Sequence, residues 1–223
     1  QRILIISEIW DNARAMLKMI KDLYFEINQT QNTDLAYIYQ VMGDWVGSVW
    51  NEDQIVVKPR TLKSPNPSIA TAGMEREVTS KHFSIIICDD LLGESNTKTP
   101  EQIKKSIQHF SSLSEVGDYH DGKPSRFIVW GTTWDYGDLY SLICNKLRAQ
   151  YDILKLRCWD DIKCQDPKRP LFPEKFPVEQ LKLLYRQKME SGDPDSFYKQ
   201  WLNEPLPKGR QPFPVEKVKW FDM

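Results

Sequence analysis

The chain has 223 residues, 40% hydrophobic and 12% aromatic, enough for one good core with an appended subdomain and far from a disordered composition. Its 30 Lys and Arg face 31 Asp and Glu, a formal net charge of −1, which excludes a constitutively basic nucleic-acid coat but leaves room for a local patch that grips a phosphate backbone. No apolar run approaches the ~20 residues of a bilayer span, and no basic-then-apolar leader opens the chain.

The chain starts inside an apolar run, Ile3-Leu4-Ile5-Ile6, without an initiator Met, and reads as a segment of something longer. Ser7 is a good N-cap and Glu8 suits the positive end of a helix. Ile9, Ala13, Met16, Ile20, Leu23 and Ile27 recur at helical spacing, so residues 8–27 are predicted as one amphipathic helix completing a βα unit. A short helix is predicted over 35–42, stopping at Gly43. The polar turn Trp50-Asn51-Glu52-Asp53-Gln54 lies between strand-like runs at 46–50 and 55–58, the pattern of a hairpin. Pro65 and Pro67 then break the chain before a short strand at 69–72 that ends at Gly73.

A polar loop, 74–82, leads into Ser84-Ile85-Ile86-Ile87-Cys88-Asp89-Asp90, an apolar run that stops in two adjacent carboxylates. A loop at 91–100 follows, then a helix over about 101–114 with Pro100 suited to its first turn. The remaining predicted elements are a tight polar loop at 117–125, a strand at 127–130, a helix over 138–150 and a strand at 153–158. Alternating apolar strands and amphipathic helices imply an α/β fold, a mostly parallel sheet with helices on both faces, over residues 1–165. From 166 to 223 the composition shifts: Pro167, Pro170, Pro173 and Pro177 cluster, helices are predicted over 178–190 and from Pro194 to about 203, and four more prolines punctuate the tail. That region reads as a helical lid or connector. Cys88, Cys144, Cys158 and Cys164 show no CxxC spacing and three histidines make no convincing zinc cluster, so the cysteines read as reduced thiols of an intracellular protein.

Asp89 and Asp90 carry the chemistry. In a nucleotide-hydrolysing α/β domain the first acid at such a strand end holds Mg²⁺, usually through water, and the next orients or deprotonates the attacking water. A capping pair at a strand–loop junction has the same sequence. The strand at 127–130 ends in Gly131-Thr132-Thr133, a hydroxyl-bearing turn able to sense a γ-phosphate, and two such tips in this order favour nucleotide hydrolysis. Residues 117–124 match seven places of GxxxxGK[ST] but end in Pro124, and they run from helix into strand rather than strand into helix, so they read as a surface turn. Arg76, flanked by Glu75 and Glu77, could reach a nucleotide on a neighbouring subunit or pair with its own glutamates; Arg60 is a weaker alternative.

In order and spacing the chain resembles the large terminase subunit of tailed bacteriophages, in its packaging ATPase domain. The resemblance rests on the opening strand Ile3–Ser7, the loop with Gly73, Thr79 and His82, the acid strand, and the Gly131-Thr132-Thr133 turn. It continues through Asp138-Leu139-Tyr140 and Ser196-Phe197-Tyr198-Lys199-Gln200-Trp201-Leu202-Asn203-Glu204-Pro205. The resemblance implies a P-loop NTPase fold of the ASCE type that uses ATP and Mg²⁺ to drive double-stranded DNA into a procapsid. It also implies a homo-oligomeric ring, portal and small-subunit partners, and a place in the host cytoplasm. Asp89 then matches the metal-binding acid and Asp90 the catalytic carboxylate, a position often Glu in that family. Gly131, Thr132 and Thr133 match the coupling motif, and Arg76 an arginine acting in trans. The phosphate loop is expected ahead of Gln1 and the nuclease domain beyond Met223. A helicase-like translocase and a non-hydrolytic interaction module that has lost its phosphate loop remain alternatives.

Overall fold

The computed structural model describes residues 1–22, 45–61, 64–76, 78, 81–119, 122–159 and 169–205. They fall into two compact units, one of Gln1–Gly93 with Lys105–Gly131, the other of Glu94–Lys104 with Thr132–Met223.

The first unit is an α/β sheet. Its strands are β1 (Ile3–Ser7), β2 (Val46–Trp50), β3 (Gln54–Val57), β4 (Ile69–Gly73), β5 (Ile85–Asp89) and β6 (Arg126–Trp130), in the order β2-β3-β4-β1-β5-β6. The four strands β4, β1, β5 and β6 are parallel, and β2 and β3 extend the sheet antiparallel. The β2–β3 turn closes because the Asn51 side chain accepts the amides of Asp53 and Gln54, at 3.0 and 2.9 Å.

Alternate residues of a strand point to opposite faces. One face carries Ile5 and Ile69, and α1 (Trp10–Ile20) covers it by burying Ala13 and Leu17 against them and Ile55. Each such aliphatic side chain stabilises the fold by about 1.5–3 kcal/mol. The other face carries Leu4, Ile86 and Phe127, which share one register row. It is covered by the later turns of α2 (Pro100–Ser112), whose Phe110 meets Phe127 edge-on with ring centroids 6.0 Å apart. The helices that follow β1 and β5 therefore lie on opposite faces of the sheet.

The second unit contains α3 (Leu139–Asn145), α4 (Val178–Glu190) and α5 (Pro194–Gln200). Its core joins Trp159, Leu181, Phe197 and Leu202, with Phe197 5.3 Å from Trp159 and 5.2 Å from Tyr185 between ring centroids. Gly192, at φ 75°, makes the turn between α4 and α5; Asp193 caps α5 and Pro194 occupies its first turn.

Several expectations need correction. Ser7 does not cap α1; it continues β1 beside Gly73 and Asp89, its carbonyl accepts the Met74 amide, and α1 starts after Ile9 with no side-chain cap. Sheet pairing on both sides outweighs the local capping preference. α3 is shorter than residues 138–150: it ends at Asn145, and a 3₁₀ turn, Arg148–Gln150, follows. No strand forms at 153–158; Ile153, Leu154 and Leu156 are exposed, and Lys155 and Arg157 turn to Glu204 instead. The short helix at 35–42, Cys164 and the end of the 8–27 helix lie outside the described residues, while Cys88, Cys144 and Cys158 are free. No helix among the described residues is long and apolar enough to cross a membrane.

Candidate functional site

β1 and β5 are neighbours running in the same direction, so Ser7 and Glu8 leave the sheet beside Asp89 and Asp90. Because the helices after these two strands take opposite faces, their carboxyl ends form a topological switch point, where open α/β sheets hold their ligands in a crevice. The acid pair leaves the sheet at that switch point.

Register puts Ser7 level with Asp89, and Asp89 level with Trp130 of β6. The Trp130 indole N–H donates to one Asp89 carboxylate oxygen. Ser7 is 1% exposed, and its hydroxyl has no hydrogen-bond partner among the described residues. A buried hydroxyl in that condition is costly unless something else meets it. Asp90 is exposed and has φ 45°, a left-handed conformation that an Asp tolerates better than most residues but still at some strain. Its backbone is fixed on both sides: its amide donates to the Trp130 carbonyl at 3.0 Å, and its carbonyl accepts the Glu8 amide at 3.3 Å.

Two glycines let the chain crowd this edge. A Cβ on Gly73 would come 2.9 Å from the Trp10 backbone nitrogen, and one on Gly93 would come 2.1 Å from a Glu8 carboxylate oxygen. Glu8 is therefore a third carboxylate at the same end of the sheet. Burial pushes the Cys88 thiol, one residue before the pair, up to about 12; it is inert packing, not a nucleophile.

Arg76 is exposed, and its guanidinium stacks on the Trp10 ring, 3.4 Å from the centroid. Trp10 is itself tied to Thr71 through its indole N–H at 3.1 Å, so the arginine is carried on a fixed platform in the first unit. Glu77 lies outside the described residues. Arg60 donates to the carbonyls of Ser64 and Asn66, which commits it to its own loop.

Gly131 ends the first unit, exposed, while Thr132 and Thr133 open the second. Thr132 is half-buried; Thr133 is 6% exposed and its amide donates to the Asn203 side-chain oxygen at 2.8 Å. Thr132 is thus the more accessible hydroxyl of the two. Asp138, fully buried, accepts the amides of Trp134, Asp135 and Ser141 at 2.7, 3.0 and 2.7 Å. Burial pushes its carboxyl above the ordinary aspartate value, although those amides pull the other way. Glu204, by contrast, is held below the ordinary glutamate value: partial burial would raise it, but Lys155 and Arg157 prevail.

The turn that imitates a phosphate loop follows α2 and a 3₁₀ turn and precedes β6, with the Asp118 amide donating to the Phe83 carbonyl at 3.0 Å. It is a surface connection; His120 and Asp121 within it lie outside the described residues.

The sequence singles out Asp89 and Asp90 as candidates but does not show Ser7, Glu8 or Trp130 as their neighbours. The available signal was position: Ser7 and Glu8 follow an apolar run as the acid pair does, but nothing local shows that the two runs are adjacent. Comparison with protein-family models gives no match for this chain, and comparison with curated proteins gives none either.

Proposed function

We propose that the protein is part of a viral DNA-packaging ATPase, a P-loop NTPase of the terminase kind, which couples ATP hydrolysis to movement of double-stranded DNA into a procapsid. The observation that carries this reading is the acid pair at the switch-point crevice between β1 and β5, with the unpartnered Ser7 hydroxyl beside it.

The residues present fit Mg²⁺. Among the described residues no group of three His, Cys, Asp or Glu side chains could cage a bare ion. The fit is to an ion that would keep most of its water and be held by Asp89, with Ser7 its register neighbour, as suits a cation that dehydrates reluctantly. When bound, the ion neutralises charge on the β- and γ-phosphate oxygens. Asp90 orients the attacking water and takes its proton at a carboxylate oxygen. Gly131, Thr132 and Thr133 form the turn that responds to the γ-phosphate. Arg76, exposed and stacked on Trp10, is the arginine proposed to serve the next subunit of a ring.

A phosphate loop belongs to the reading and is proposed to come from a segment ahead of Gln1. β6 leaves a place for it: it ends the sheet order, no strand lies outside it among the described residues, and Ile128 and Trp130 are 37% and 45% exposed. A further parallel strand there would bring its loop to the edge that holds Asp89. The portal and small-subunit partners, and the cytoplasmic setting, follow from the same reading.

The test is ATP hydrolysis by the intact protein with and without double-stranded DNA. Asp90→Ala should abolish turnover and leave nucleotide binding in place; normal turnover in that variant would overturn the assignment. Residues 1–223 alone should hydrolyse ATP negligibly, and hydrolysis by them that Asp90→Ala removes would contradict the need for a separate phosphate loop.

A further inference from the structure

Thr133 and Asn203 are 70 positions apart, yet the Thr133 amide donates to the Asn203 side-chain oxygen at 2.8 Å. Thr133 is 6% exposed, so that amide has little access to water and needs a protein acceptor. A peptide group is planar, so holding the Thr133 N–H also holds the Thr132 carbonyl and the plane between the two threonines.

Asn203 has φ 51°. Its left-handed backbone turns the chain past the end of α5 so that the Glu204 amide returns to the Tyr198 carbonyl at 2.9 Å. Glycine serves such a turn with less steric conflict, but glycine has no side-chain acceptor. Asparagine meets both needs, as a short side chain that tolerates the left-handed region. The next residue fixes the same point from another direction. Glu204 pairs with Lys155 at 2.7 Å and Arg157 at 3.1 Å, and the Cys158 amide donates to the Trp201 carbonyl at 2.7 Å. Beneath them Leu202 and Phe197 are fully buried.

We propose that Asn203 is a positioning residue for the Thr132–Thr133 turn, and that Asn203 and the Glu204 clamp make this turn and the end of α5 one mechanical piece within the second unit. A change at Thr132 then reaches α5 and residues 155–158 directly. The consequence for turnover rests on the proposed ATP hydrolysis; the hydrogen bond and its mechanical role do not.

Amide hydrogen exchange of the intact protein, read at Thr133, tests the proposal. Asn203→Gly keeps the left-handed turn and removes the acceptor, and it should speed Thr133 exchange by about fivefold or more. Asn203→Asp keeps an acceptor oxygen and should restore protection. Glu204→Gln should give a smaller acceleration at the same amide. In ATP turnover, Asn203→Gly should lower kcat severalfold with KM for ATP unchanged, and Asn203→Asp should recover it. Wild-type protection of Thr133 in Asn203→Gly, or equal loss in the Gly and Asp variants, would overturn the positioning role. An unaffected Thr133 in Glu204→Gln would overturn the single-piece linkage. A wild-type protein without ATPase activity would sink the hydrolysis reading alone, since the exchange measurements stand without it.

Discussion

Asp90 in the sheet unit and Asn203 in the helical unit are the non-glycine residues with positive φ among the described residues, at 45° and 51°. The backbone conformation is nearly the same, but Asn203 is half-buried and Asp90 is exposed. The Asn203 oxygen is spent on a buried amide, so the strain there is offset by a hydrogen bond the fold needs. Asp90 has its backbone fixed by Trp130 and Glu8 and is exposed at the carboxyl end of β5. Backbone strain clusters at reaction sites, so the outlier at Asp90 motivates its proposed role, whereas strain that ends in a buried hydrogen bond is structural.

The largest effect expected from this contrast is on catalysis. Asp90→Asn keeps size and tolerance of the left-handed turn but removes the proposed base, and under the proposed function it should lower ATP turnover of the intact protein by about 10²–10⁴-fold, the usual contribution of such a group. Steady-state hydrolysis within a few fold of wild type would place Asp90 with Asn203 as a structural residue.

Next in size is a stability effect at Asp138, a carboxylate that is fully buried. Asp138→Ala strands three amides that Asp138 accepts and removes the cap of α3, so it should destabilise the second unit by about 3 kcal/mol in denaturant unfolding. Asp138→Asn should recover only part of this, because its NH₂ group would face an amide donor.

Glycine substitution separates the two strained residues directly. Asp90→Gly should raise stability by about 1 kcal/mol by relieving the left-handed backbone, while abolishing turnover. Asn203→Gly should lose about 1 kcal/mol instead, since the Thr133 amide loses its acceptor and that outweighs the relief. Equal signs in thermal unfolding of the two variants would break the comparison.

The smallest effect is electrostatic. Glu204 has a folded-state value below the ordinary one, so its contribution is present above the ordinary glutamate value of about 4.3 and fades as pH falls through the folded value. Glu204→Gln should therefore cost about 1 kcal/mol at pH 7, less in high salt, with the gap to wild type closing in acid. Asp138 has the opposite slope: its raised value favours folding most below the ordinary aspartate value, and the advantage is lost as pH rises through the folded value. A pH titration of stability in Glu204→Gln that runs parallel to wild type would show the clamp to be idle.

Where a segment's own periodicity matched its surroundings, the fold was legible. The apolar runs of β1, β4, β5 and β6, the hairpin around Asn51 and the amphipathic turns of α2 and α4 stand where their patterns put them. Misreadings came where a distant partner decided the outcome. Ser7 looks like a cap until two parallel neighbours take it into the sheet, and residues 153–158 look like a strand although Glu204 holds Lys155 and Arg157. In the candidate site, the adjacent Asp89 and Asp90 announced themselves, being two charges at the end of an apolar run. Ser7, Glu8 and Trp130 did not, because their place beside the pair depends on strand order.

By itself the sequence determined which segments could be buried strands or amphipathic helices and where carboxylates leave the sheet, since both follow from local spacing and charge. Tertiary structure alone decided that β1 and β5 are neighbours with their helices on opposite faces, and so that Asp89 and Asp90 leave the sheet at a switch point beside Ser7. It also decided that Asn203 meets Thr133. Sheet order and contacts 70 residues apart are set by burial of apolar faces and by satisfaction of buried amides across the whole chain, and no local window contains either.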